Sequence, residues 1–205
     1  VDIPKPLLKV KNQIMLGNTI NFFQELGYNQ IFINTHYKHN QILNYINDEF
    51  NQSSIKVIYE PTILGTGGAI KNIYKYTENN KICVVNSDIF WQKNNKSDVI
   101  NFIKDYKNVT HCKLLLAKNN NFEGLKKEKG DFNMHNEKVL NWTKKDEIFF
   151  YSGLQIVSKE IFENTKDIFS MNYVWNNLIK TNNLIGSVSK SKILHIGDKK
   201  TFEEF

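Results

Sequence analysis

No apolar run in these 205 residues reaches the length of a membrane span, and no signal peptide is visible, so no membrane partner is expected. Cysteine is scarce. Cys83 and Cys112 each fall inside an expected buried strand, far from any Cys or His at zinc-ligand spacing. Both read as small core residues in a reducing compartment, which excludes a disulfide scaffold or zinc module and gives a cytoplasmic location as the expectation. No serine or cysteine sits in a nucleophile-elbow pattern, and His36, His39, His111 and His135 show no spacing of a metal cage or catalytic dyad. The net charge of +6 is spread over scattered lysines without one long basic run, and the aromatics fall on apolar faces. That pattern excludes a nucleic-acid stripe while suiting phosphate-bearing ligands. Internal repeats, linkers and proline-rich stretches are absent too, so residues 1–205 read as one domain. The chain opens at Val1 without an initiator methionine, and its amino-terminal start is expected to be missing.

Forty per cent of the residues are hydrophobic, enough for a buried core. Periodicity predicts alternating units: helix from Asn18 to Leu26, strand Gln30 to Asn34, helix His39 to Phe50, strand Ile55 to Tyr59, helix Gly67 to Tyr76 and strand Lys81 to Asn86. A helix from Ser97 to Tyr106, capped by Ser97, leads into a strand from Cys112 to Ala117. Beyond it, Asp131–Met134 and Lys138–Trp142 flank His135-Asn136-Glu137 as a hairpin. A strand from Phe149 to Val157, a helix from Met171 to Lys180 and strand material from Gly186 to Ile196 follow. The predicted class is α/β: a mixed, mostly parallel, Rossmann-like sheet flanked by helices, with an antiparallel hairpin insert.

The most informative stretch is Glu60-Pro61-Thr62-Ile63-Leu64-Gly65-Thr66-Gly67-Gly68, between a strand and a helix, followed by Val84-Val85-Asn86-Ser87-Asp88 at the end of the next strand. Such a layout puts a glycine-rich turn and a carboxylate together at the carboxyl edge of a sheet, where open α/β folds bind ligands. Glycines there permit close backbone approach to an anionic or flat ligand, and a helix start favours negative charge. They explain a tight strand-to-helix turn equally well, and without a following Lys-Ser/Thr they are not a P-loop. Asp88 suits magnesium, a hard ion that keeps waters and bridges carboxylates to phosphates; an N-cap is the alternative. Lys5, stiffened between Pro4 and Pro6, projects in a fixed direction toward an anion, or is a solvated loop lysine. Gly130-Asp131-Phe132 and Tyr151-Ser152-Gly153-Leu154 place a carboxylate and a hydroxyl where a sugar could be bound, though turn chemistry accounts for them as well.

In these ordered motifs, together with Ile33-Asn34-Thr35-His36-Tyr37 and His195-Ile196-Gly197, the chain resembles the sugar-1-phosphate nucleotidyltransferases along essentially its whole length. It is most similar to their short bacterial branch, typified by N-acetylmuramate 1-phosphate uridylyltransferase and mannose-1-phosphate guanylyltransferase-like proteins. The resemblance implies transfer of a nucleotidyl group from an NTP to a sugar 1-phosphate with release of pyrophosphate. UTP and N-acetylmuramate 1-phosphate are the leading pair, in peptidoglycan recycling for the cell envelope. A mannose-1-phosphate guanylyltransferase, or a non-catalytic nucleotide-sugar binding module on the same fold, is the alternative. By the same likeness Lys5 would hold phosphate and Asp88 would coordinate Mg2+. Glu60, Thr66, Gly67 and Gly68 would line the base and ribose, and Asn86, Asp131, Ser152 and Gly153 would face the acceptor sugar. Relatives open with a strand and a Gly-rich, Arg-containing phosphate loop ahead of the Pro-Lys-Pro segment, which this chain lacks as it stands. Many also place an aspartate where this chain has His195, so His195 contacts phosphate or metal differently, Asp198 substitutes, or the position is structural. The expected assembly is a monomer or weak homo-oligomer.

Overall fold

Apolar residues recurring at helical spacing decide where the helices lie and which side they bury. In α5 (Met171–Lys180), Met171, Val174, Trp175 and Ile179 are buried on one stripe, and Ser170 caps the start by accepting from the Asn172 N–H at 3.3 Å. The computed structural model, which describes residues 3–50, 53–105, 111–124, 129–144 and 146–204, arranges the remainder around a central sheet. In chain order the strands are β1 (Lys9–Val10), β2 (Gln13–Ile14), β3 (Ile31–Thr35), β4 (Ile55–Tyr59), β5 (Lys81–Val85), β6 (Ile89–Phe90), β7 (Cys112–Lys118), β8 (Phe122–Glu123), β9 (Phe132–His135), β10 (Lys138–Asn141), β11 (Phe149–Ser158), β12 (Leu184–Val188) and β13 (Ile193–His195). The other helices are α1 (Met15–Glu25), α2 (His39–Glu49), α3 (Gly65–Ile73), α4 (Lys96–Lys104) and α6 (Lys199–Glu204). Among the described residues no helix is long and apolar enough to cross a membrane.

Six strands form the main sheet in the order β5-β11-β7-β12-β10-β9. Strand β7 shows why both faces must be covered. Its alternate residues Cys112, Leu114 and Leu116 join one apolar cluster with Ile70, Val174 and Trp175, while Leu115 and Ala117 join another with Phe23, Trp91 and Phe102. Side-chain alternation thus feeds α3 and α5 on one face and α1 and α4 on the other. A third cluster, with Leu16, Ile20, Ile42, Ile46 and Ile55, packs α1 and α2 onto the parallel pair β3–β4.

The mixed α/β architecture is as the sequence predicts, but less of the pairing is parallel. Strand β12 runs parallel to β7, whereas β11 is inserted between β5 and β7 and is antiparallel to both. Alternation of elements reports their order along the chain, not which strand slides between two others. Helix α4 starts at Lys96, with Asn95 rather than Ser97 at its N-cap, and its expected end at Tyr106 lies outside the described residues. The hairpin β9–β10 is present. Its turn residues Asn136 and Glu137 have φ of 47° and 64°, the left-handed pair of a two-residue loop matched to strand twist. The closing material divides between two sheets, β12 in the main one and β13 between β6 and β8. Among the described residues β4 is the strand partner of β3 and β11 that of β5, leaving the second edge of each without one.

Candidate active site

The carboxyl end of β5 leads through Asn86 and Ser87 to Asp88, and antiparallel pairing of β6 with β13 sets His195 opposite Ile89. The Ile196 N–H donates to the Asp88 carbonyl at 2.8 Å, locking the two segments together. His195 Nε2 consequently lies 3.4 Å from Asp88 Oδ2. Lys5, in a single turn of 3-10 helix from Lys5 to Leu7, reaches the same oxygen at 3.5 Å and donates to the Gly197 carbonyl at 3.0 Å. Burial works against charge on Asp88, but His195 and then Lys5 outweigh it and hold the carboxyl below its ordinary value. Two buried atoms of this cluster have no hydrogen-bond partner: Asp88 Oδ1 and His195 Nδ1. An acid with two basic neighbours and a spare inward oxygen is built to meet a charged ligand.

Beside this cluster opens a cleft of about 430 Å³. Of the residues expected around the sugar, Asn86, Asp131 and Gly153 line it, and so does His195, which joins the cleft to the charged cluster. Asp131 is held in place by the Tyr151 N–H, which donates to Oδ2 at 3.0 Å. Sequence reasoning missed Asn141, Asn172, Trp175 and Asn176, which also line the wall. Asn172 and Asn176 stand four apart on α5, a polar stripe that amphipathic analysis could have flagged. Ser152 does not join them. It is fully buried, and its hydroxyl donates to the Leu115 carbonyl at 2.7 Å inside the core.

Gly153 owes its place to backbone geometry. The register of β11 against β7 shifts between Tyr151 and Gln155, and Gly153 sits in that bulge at φ +81°, where a Cβ would lie 2.6 Å from Ile89 Cγ1. Its carbonyl accepts from the Asn86 N–H at 2.8 Å, so the bulge aims both residues at the cleft. Gly153→Ala is expected to cost about 1–3 kcal/mol of stability, from left-handed strain plus the clash, read as a lowered urea midpoint. An unchanged midpoint would show that the bulge is not constrained.

The glycine-rich turn is occupied differently from the open cradle that its sequence suggests. The amides of Gly67 and Gly68 both donate to the Phe169 carbonyl, at 3.0 and 3.2 Å, and Thr66 Oγ1 accepts from the Met171 N–H at 2.8 Å. A Cβ on Gly67 would meet the Phe169 ring at 2.2 Å, and one on Gly68 the Asp167 carbonyl at 2.1 Å. These residues seat α3 against the segment that enters α5, and that packing accounts for them without a ligand. Glu60 remains the polar group of this stretch with something to spare. It is 5 % exposed, its Oε1 is buried without a partner, and its carboxyl is raised by burial against the opposing pull of Asn34, the Leu64 N–H and His36.

Asp198 has a structural part as well, because its Oδ1 accepts from the Thr201 N–H at 2.8 Å in the first turn of α6. Among the described residues no group of three or more His, Cys, Asp or Glu forms a metal cage. Asp88 and His195 stand as a pair.

Comparison with known proteins gives a concordant answer. The family model described as nucleotidyl transferase matches residues 1–124. The D-glycero-alpha-D-manno-heptose 1-phosphate guanylyltransferase of Campylobacter jejuni is 30% identical over 169 residues, covering 82% of this chain and 70% of that protein. The enzyme of the same name from Aneurinibacillus thermoaerophilus is 31% identical over 87 residues, 42% of this chain and 38% of its own length. Among solved structures, HddC from Yersinia pseudotuberculosis superposes with a TM-score of 0.80 at 25% identity, over 100% of this chain and 89% of the other. Family model, relatives and fold agree: the chain belongs to the nucleotidyl transferase family, among its sugar-1-phosphate nucleotidyltransferases.

Proposed function

We propose that the protein transfers a guanylyl group from GTP to a sugar 1-phosphate, with a heptose 1-phosphate as the leading acceptor. The observation that supports this reading is that His195 belongs both to the wall of the Asn-lined cleft and to the Lys5–Asp88–His195 cluster, an arrangement that would put a sugar site beside a phosphate-handling site. The names of the two curated relatives favour guanine, the base of the sequence-based alternative, over the uracil of the leading expectation.

The chemistry is an in-line displacement. A phosphate oxygen of the sugar 1-phosphate attacks the α-phosphorus of GTP, forming a P–O bond. The bond from that phosphorus to the α–β bridging oxygen breaks, and pyrophosphate leaves with the electron pair. Residues of this chain act through position and charge. Asn86, Asp131 and the Gly153 backbone orient the acceptor ring. Lys5 supplies positive charge to the phosphates, and Glu60 would offer its unpartnered Oε1 to a base or ribose donor. The unpartnered Asp88 Oδ1 is a hard oxygen that fits Mg2+, whereas a neutral His195 imidazole suits that ion less well than the carboxylate common in relatives. Asp88, with His195 at its side, would hold the ion, which when bound offsets charge on the transferring phosphate.

The edges of β3 and β5 that lack a strand partner among the described residues support the expectation that a further strand and phosphate loop complete the sheet. The test is pyrophosphate release by the full-length protein, offered each common NTP against heptose, mannose and N-acetylmuramate 1-phosphates, with residues 1–205 assayed beside it. GTP-dependent release by the full-length protein, with residues 1–205 weak or inactive, is the expected result. Preference for another NTP would overturn the guanylyl assignment, and equal activity of the shorter chain would remove the need for a preceding loop.

A further inference from the structure

The cleft wall has a chemical character that the transfer reaction by itself does not require. Asn86, Asn141, Asn172 and Asn176 present four side-chain amides, each both donor and acceptor, which is the complement of a sugar hydroxyl. Trp175 adds an apolar surface. Among the described residues, Asp131 is the acidic side chain on the wall and His195 the basic one, and His195 lies at the phosphate end against Asp88. Among the described residues no lysine lines the cleft. The 205 residues contain no arginine, so the forked, two-bond grip by which proteins usually hold a carboxylate is out of reach for this segment.

We infer that this cleft selects sugar 1-phosphates whose ring substituents are uncharged, and that Asp131 is the residue that turns carboxyl-bearing sugars away. The inference rests on the transfer reading above and deepens it. A sugar carboxylate entering the cleft would give up water, find amides where it needs a cation, and approach the like charge of Asp131. Asp131 cannot swing aside without releasing the Tyr151 N–H that it accepts from. N-acetylmuramate 1-phosphate, with its lactyl carboxylate, falls in the excluded class, while neutral hexose and heptose 1-phosphates fall in the accepted one.

The test uses the full-length protein with GTP and two acceptors that differ at C6 alone, mannose 1-phosphate and mannuronate 1-phosphate. Mannose 1-phosphate should lead by about tenfold or more in kcat/KM at low salt, and the gap should shrink as salt is raised, because charge rather than shape sets it. Asp131→Asn keeps an acceptor for the Tyr151 N–H and should narrow the gap several-fold, and Asn141→Lys, which adds a cation to the wall, should narrow it again. Equal kcat/KM for the two sugars, or a gap that neither salt nor Asp131→Asn moves, would overturn the charge rule while leaving the transferase reading intact. If neither sugar is turned over, calorimetric binding of the two compounds separates the questions. Tighter binding of mannose 1-phosphate that weakens its lead in Asp131→Asn supports the rule, and equal binding overturns it.

Discussion

Asp88→Ala is expected to lower kcat for pyrophosphate release by about two to three orders of magnitude, the range seen when a preorganised charge-stabilising group is removed from a reacting centre. Asp88 is the anion that Lys5 and His195 both address, at 3.5 and 3.4 Å, so its loss removes the negative charge between two basic side chains, although Lys5 keeps its bond to the Gly197 carbonyl. Its inward Oδ1, buried without a partner, goes with it, and with it the hard oxygen suited to a divalent ion. The fold should survive. The Asp88 side chain is 28% exposed, and an ion pair of that exposure contributes roughly 1 kcal/mol or less. Asp88→Asn separates the causes, since it keeps the side-chain shape and one acceptor oxygen but not the charge. If charge matters, Asn should be nearly as slow as Ala. Near wild-type kinetics in the alanine variant, with an unchanged urea midpoint, would remove Asp88 from the reaction.

Trp175→Ala should cost about 3–5 kcal/mol of folding stability, a large part of what a domain of this size has in total. Trp175 is 8% exposed and meets the rings of Tyr151 and Phe132 edge-on, with centroids 5.0 and 5.7 Å away. Its Nε1 donates to Gln155 Oε1 at 3.1 Å, inside the core between α5 and β11. Truncation opens a cavity and also takes away the strong donor of a buried amide oxygen. Trp175→Phe divides the two terms. It keeps much of the ring volume, so the remaining loss, about 1–3 kcal/mol, reports the hydrogen bond. Because Trp175 also lines the cleft, KM for the acceptor should rise in the alanine variant. A stable Trp175→Ala protein would mean that α5 does not depend on this anchor.

Two periodic elements, β4 and α5, are legible from the sequence to the residue because each carries its own pattern of burial, whereas α1 and α3, expected over Asn18 to Leu26 and Gly67 to Tyr76, run Met15–Glu25 and Gly65–Ile73. Two-residue strands such as β6 and β8 are too short for any period, yet β6 is what sets His195 beside Asp88. Asp88 and Lys5 stand out in the sequence because a carboxylate after an apolar strand and a lysine between prolines are locally out of place, and the fold brings the two within 3.5 Å of each other. Thr66, Gly67 and Gly68 suggest a ligand in the sequence because the partners the fold gives them, Met171 for Thr66 and Phe169 for the two glycines, lie about a hundred positions along the chain. Ser152 and Gly153 are neighbours with opposite fates, one sealed in the core and one at the cleft, and the bulge that separates them is a property of pairing with β7. The asparagines of the cleft wall were hidden by abundance: in a chain this rich in asparagine, no single one stands out.

The bond from Lys5 to the Gly197 carbonyl joins positions 192 apart in sequence. During synthesis the centre therefore cannot close until residue 197 has cleared the ribosome, however early the helices and hairpins form. Contacts of such long range are among the last that a folding chain completes. Catalytic competence should then be gained in one late step, in which Lys5 finds Gly197, and partly made chains should be inert toward NTP and sugar 1-phosphate rather than weakly active.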